Sequence, residues 1–133
     1  MRRPPVFLSV EDVLAIHARM VEEFGGDATV RDHGLLESAV MMPTARFGGK
    51  WLHPDLATMA AAYLFHLCKN HPFVDGNKRT ALAAAETFLL LNARRLVATD
   101  DEVYDLTVGV ASGTVAKDRV ATFFQRQVKS DRH

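Results

Sequence analysis

Ala81-Leu82-Ala83-Ala84-Ala85-Glu86-Thr87-Phe88-Leu89-Leu90-Leu91 contains only two polar residues, Glu86 and Thr87. A helix apolar on nearly every side has no face suited to water, so it belongs inside the protein. The stretch predicts a buried central helix from Asn77 to Leu91, with the rest of the chain wrapped around it. The flanking segments show the apolar period and the end signals of helices as well. Upstream, Leu56, Met59, Ala60, Tyr63, Leu64 and Leu67 mark the face of a helix with Pro54 in its first turn and an end near Asn70. Farther back, Ser9 and Asp12 make a weak capping box for a helix carrying Val10, Val13, Leu14, Val21 and Phe24, which Gly25-Gly26 stops. A short helix from Asp32 to Met41 or Met42 is closed by Pro43. Downstream, Thr99 and Glu102 form a capping box for a fifth helix ending near Gly113, and a sixth carries Val120, Phe123, Phe124 and Val128. Phe47-Gly48-Gly49-Lys50-Trp51 reads as an irregular or hairpin segment, and Leu96-Val97-Ala98 as a short strand. The expected architecture is all-α: a compact six-helix bundle around the fourth helix, one domain over residues 1–133, with room for a small hairpin.

Composition narrows the function. The 133 residues, 48% of them hydrophobic, suffice for one continuous core. Sixteen Lys+Arg balance sixteen Asp+Glu, so no global positive field gathers nucleic acid or anionic membrane. One cysteine, Cys68, excludes a disulfide scaffold and a Cys-based metal cluster. No apolar run approaches the roughly 20 residues of a membrane span, and the longest near the start is Val6-Phe7-Leu8. The expectation is a soluble cytoplasmic protein with no direct nucleic-acid or membrane binding.

The chemistry concentrates in His71-Pro72-Phe73-Val74-Asp75-Gly76-Asn77-Lys78-Arg79-Thr80. Lys78 and Arg79 stand in the first turn of the buried helix, where the macrodipole favours acids and two cations are out of place. Such a local contradiction marks function. An anion would resolve it: the amides of Gly76, Asn77 and Lys78, with the two cationic side chains, form a polyphosphate cradle. Asp75 is a hard oxygen ligand suited to Mg²⁺ on phosphates. Gly76 permits close backbone approach. His71 is of the residue type that takes a proton from a hydroxyl near neutral pH. Phe73 anchors the loop in the core.

The nine residues from His71 to Arg79 resemble the signature of the Fic/Doc superfamily, closest to its Doc, or death-on-curing toxin, branch. Gly34-Leu35-Leu36-Glu37-Ser38-Ala39, Phe47-Gly48-Gly49 and Asp105-Leu106-Thr107-Val108-Gly109 are similar to Doc-type sequence too, so the likeness covers about residues 8–128. The resemblance implies a helical fold around the motif helix and transfer of part of a nucleotide to a protein hydroxyl. It implies His71 as general base, Asp75 as Mg²⁺ ligand, and Gly76, Asn77, Lys78 and Arg79 as phosphate holders. It also implies a target-docking flap at Phe47, Gly48, Gly49 and Trp51, the alternative for Phe47 and Trp51 being a small core contact.

Fic enzymes that transfer AMP commonly carry Gly where Lys78 stands and Arg where Leu82 stands. The Doc branch shares both departures, which implies a kinase moving the γ-phosphate of ATP to a Ser/Thr hydroxyl, with elongation factor Tu as target and translation blocked. Gly76 follows the Fic pattern and keeps AMP transfer as the alternative; an idle nucleotide- or partner-binding module is the rival from another class. No Ser or Thr is followed four residues later by Glu, so the self-inhibitory Fic device is missing and a small antitoxin acting in trans is expected. Of the remaining residues, Cys68 reads as a buried inert thiol, and His53, His66 and His71 lack zinc spacing. His17 and His33 read as surface or edge positions, and Glu86 as a buried structural acid, the alternative being a supporting partner of the loop.

Overall fold

A computed structural model describes residues 3–131 of the chain; the ends of the expected domain span, His133 included, lie outside the described residues. Six helices follow one another: α1 Val10–Phe24, α2 His33–Met41, α3 Leu56–Asn70, α4 Asn77–Leu91, α5 Asp100–Ala111 and α6 Lys117–Gln127. A 3-10 turn, Met42–Thr44, extends α2, and strands β1 Arg46–Phe47 and β2 Lys50–Trp51 form an antiparallel hairpin before α3. The second small sheet pairs β3 Arg94–Leu96 with β4 Val128–Ser130 and ties the end of the chain to the segment after α4.

The helix starts come from local chemistry. Ser9, Asp55 and Thr99 close capping boxes with Asp12, Thr58 and Glu102, and Asp32 accepts from the Leu35 amide at the start of α2. Asp55 rather than Pro54 therefore begins α3: its carboxylate satisfies the Thr58 amide at 2.7 Å, a bond that proline cannot make. Val128 belongs to β4, not α6, because it pairs with Leu96 of β3, and that strand lies at Arg94–Leu96, two residues earlier than expected.

The core lies between α3 and α4. Thr58, Met59, Ala60, Ala61, Ala62, Tyr63 and Leu64 are buried without interruption, so α3 is enclosed on all sides where only one face was expected to be. Both α2 and α6 pack on α3, while α1 packs on α4. Alanines carry much of the α3–α4 contact, with Ala60, Ala61, Ala81, Ala84 and Ala85 at most 1% exposed, which lets the two backbones approach closely. The motif helix thus shares the central place with α3. Its last turn reaches water, since Leu90 and Leu91 are exposed, and Glu86 is exposed too, correcting the expectation of a buried acid.

Tyr63 Oη, in the core, accepts from the Leu8 amide at 2.9 Å and pins the segment before α1. Phe7 then stacks on Phe88 and meets the edge of Trp51, joining the hairpin base to α4.

Candidate active site

The connection from α3 to α4 turns twice through left-handed backbone. His71, the C-cap of α3, has φ 49° and ψ 55°, and its amide bonds Leu67 O at 3.3 Å. Gly76, the N-cap of α4, has φ 80° and ψ 15°. At Gly76 the φ selects glycine, because a β-carbon would meet His17 only at 3.5 Å, ordinary contact. Between the turns, Phe73 is 1% exposed and fixes the loop to the core, as expected. Asn77 Oδ1 accepts from the Phe73 amide at 3.0 Å, and Asn77 Nδ2 donates to the Phe73 carbonyl at 2.9 Å. The Asn77 side chain is therefore committed to closing the loop, and only its main-chain amide is left for an anion.

The rim of the loop carries the candidate functional groups. His71, Asp75, Lys78 and Arg79 are all exposed there, and Gly76 is half-buried. No side chain caps α4, and its first turn contains no acid. The amides of that turn are consequently open to an anion, at the helix end that favours one. Asp75 Oδ2 accepts from the Asp27 amide at 2.8 Å, and its other carboxylate oxygen has no hydrogen-bond partner among the described residues. That fits a Mg²⁺ ligand, since Mg²⁺ bound to a nucleotide takes one or two carboxylates and draws its other oxygens from phosphates and water.

Residues 26–32 run as a strap beside the loop. The Val74 amide donates to Thr29 O, the Arg31 and Asp32 amides both donate to Pro72 O, and Val30 bridges to Phe73. Arg31 Nε donates to His71 O at 2.7 Å and its Nη2 to Asn70 O at 2.9 Å. At the end of α1, the exposed ring of Phe24 lies under Arg79, with Cζ 4.3 Å from the ring centroid.

His17 corrects the expectation of a surface residue: it is 2% exposed, stacks on Phe73, and Nε2 donates to the Asp75 carbonyl at 2.8 Å. Its place was legible, because His17 lies four residues from both Val13 and Val21 on the inner face of α1. Asp27 and Arg31 carried no such signal: they act through contacts 48 and 40 residues distant in sequence, respectively. Their partners became neighbours only on folding.

The hairpin contains Phe47, Gly48, Gly49 and Trp51, but it divides them. Gly48 and Gly49, at φ 59° and 78°, make its tight turn. Trp51 turns inward against Phe7 beneath the Arg46 guanidinium, whereas Phe47 is 83% exposed. Cys68 is buried, and burial pushes its thiol up to about 12, in keeping with an inert residue. Among the described residues, no three His, Cys, Asp or Glu side chains converge as a metal cage, and no helix is long and apolar enough to cross a membrane.

The Fic/DOC family model matches residues 7–89, a span that includes the hairpin, the strap, the loop and nearly all of α4. The chain belongs to the Fic/DOC family. It is 44% identical over 117 residues to a protein named Toxin Doc from Mycolicibacterium smegmatis (strain ATCC 700084 / mc(2)155), covering 86% of this chain and 88% of that one. It is 34% identical over 119 residues to a protein named Protein kinase doc from Escherichia phage P1, covering 90% of this chain and 93% of that one.

Proposed function

We propose that this protein is a Doc-type toxin and protein kinase, a single domain that transfers the γ-phosphate of ATP to a Ser/Thr hydroxyl of a target protein. The observation that carries the reading is the uncapped start of α4, with His71, Asp75, Lys78 and Arg79 exposed around it. The names of the two relatives support it.

In this reading the α4 amides and the side chains of Lys78 and Arg79 hold the phosphates, and Phe24 supports the guanidinium of Arg79. A ring nitrogen of His71 takes the proton of the attacking hydroxyl. The hydroxyl oxygen bonds to the γ-phosphorus as the bridging oxygen departs with ADP. Positioning and charge stabilisation supply most of the rate, as in other phosphoryl transfers. Mg²⁺, held by Asp75 together with the nucleotide, would neutralise charge on the phosphate oxygens. Lys78 adds a cation beside the cradle, and Leu82 offers no clamp for the terminal phosphate of a nucleotide in the AMP-transfer pose.

The hairpin is the proposed docking element: Phe47 and its strand edge offer an extended target both an apolar anchor and backbone pairing. Elongation factor Tu is the proposed target, with translation blocked in the cytoplasm. A small antitoxin folding onto the bundle in trans is the proposed control, ordering only on binding.

ATP labelled separately at the α- and γ-positions tests the reading, with elongation factor Tu as acceptor. Label from the γ-position, ADP release and loss of transfer in His71→Ala by about 10²–10⁴ in rate are expected. Label from the α-position with pyrophosphate release would establish AMP transfer, which the glycine at position 76 favours by its likeness to the Fic pattern. Binding of ATP without labelling would establish an idle module.

A further inference from the structure

His71 has a β-carbon yet adopts φ 49° and ψ 55°, a conformation that is costly for any residue but glycine and persists only where its surroundings enforce it. It also stands at the end of a helix, where the last carbonyls have no partner within the helix. Arg31 answers both problems. Its guanidinium donates from Nε to His71 O at 2.7 Å and from Nη2 to Asn70 O at 2.9 Å, while its own amide donates to Pro72 O at 2.7 Å. Three successive carbonyls, those on either side of the left-handed turn and at its centre, thus end on one residue. The arrangement is itself anchored, since Asn70 Nδ2 donates to Leu35 O at 2.9 Å and ties the end of α3 to α2.

Arg31 forms no ion pair among the described residues, so its charge is not committed to a carboxylate. The fork geometry matters, because a planar guanidinium reaches two adjacent carbonyls at once and an ammonium does not. We propose that Arg31 is a positioning residue for His71, holding the left-handed turn that presents the imidazole at the rim of the loop. The proposal rests on the reading of His71 as general base. Arg31 acts on that base through the main chain, 40 residues away in sequence.

Steady-state transfer to elongation factor Tu by the wild type, H71A, R31A and R31K separates the two layers of the argument. Transfer by the wild type that survives in H71A would end the reading of His71, whatever Arg31 does. With H71A inactive, R31A is expected to lower kcat by about 10–100-fold with the KM for ATP unchanged, because a small misplacement of a reacting group costs rate rather than nucleotide binding. R31K, restoring one of the two bonds, should fall between R31A and the wild type. Wild-type kcat in R31A, a raised KM in place of a lowered kcat, or R31K no better than R31A would overturn the proposal.

Hydrogen exchange in the free protein is the readout that needs no acceptor. In R31A the His71 amide, which bonds Leu67 O, should exchange faster while the amides of Ala60 to Leu64 keep their protection. Unchanged exchange at His71 would overturn the proposal even if the variant were slow. Should R31A fail to fold, R31K decides alone: faster His71 exchange with reduced kcat supports positioning, and wild-type values for both overturn it.

Discussion

His17 lies flat against Phe73, ring centroids 3.7 Å apart and planes 7° apart, and its Nε2 donates to the Asp75 carbonyl at 2.8 Å. A carbonyl only accepts, so the proton is on Nε2 and the tautomer is set by the contact. One side chain of α1 therefore grips both the buried and the exposed part of the loop. His17→Leu keeps an apolar surface but removes the donor and the aromatic stack. Its expected cost is about 1 kcal/mol for the hydrogen bond and a similar amount for the stack, read from urea unfolding. Transfer should slow as well, since the lost bond holds the carbonyl just before the amides proposed to hold phosphate. Stability equal to wild type would show that the bond does not hold the turn.

Gly26 packs against Asp75 so closely that a β-carbon there would come within 3.0 Å of Asp75 Cβ, and its φ of 116° already excludes an ordinary side chain. Gly26→Ala should cost about 1–3 kcal/mol in backbone strain. The variant should also need more Mg²⁺ for half-maximal transfer, because Asp75 must shift away from the strap. A Mg²⁺ titration of the transfer rate checks this; a curve that overlays the wild type contradicts it.

His53 and His66 impose a pH dependence on stability. Burial, with Lys117 adding to it in both cases, holds each imidazole down at about 4. Among the described residues, neither ring nitrogen of His53 finds a hydrogen-bond partner, nor does Nε2 of His66. An unfolded histidine takes its proton near pH 6.5, so between there and about pH 4 the unfolded chain binds more protons than the folded one. The stabilisation is complete above the unfolded value and is lost as the pH falls toward the folded one. The Tm should be level from about pH 8 to 7 and decline below about 6.5. His53→Gln should flatten the decline. A Tm that holds level from about pH 7 down to 5 would contradict the assignment.

Gly109 is a stability position remote from the loop. It is buried in α5, and a β-carbon there would collide with Val115 Cγ2 in the turn that leads to α6. Gly109→Ala should therefore destabilise by about 1–3 kcal/mol through overpacking, despite alanine's better helix propensity. Thermal unfolding measures the loss, and transfer by the folded fraction should stay at the wild-type rate. A more stable variant would mean that the α5–α6 turn yields easily.

The six helices and the capping residues Ser9 and Thr99 were legible because period and capping are local: each depends on residues three or four apart. The candidate groups from His71 to Arg79 stood out for a similar reason, since they come from one continuous segment and two cations contradict the dipole of the helix that bears them. Local rules alone left α3 with one buried face, because no period records how many neighbours a helix will have. They also left Leu90 and Leu91 inside, although apolar residues at a helix end reach water when nothing packs over them.

The strap lies wholly beyond such rules. Asp27 and Arg31 act on the loop by bonding its carboxylate and its carbonyls, and a main-chain carbonyl leaves no mark on the identity of the residue that bears it. What the sequence by itself determined is the set of groups that can do chemistry and the helix that presents them. What only the tertiary structure decided is how those groups are held, because the donors that fix His71 and Asp75 come from elements that meet the loop through folding alone.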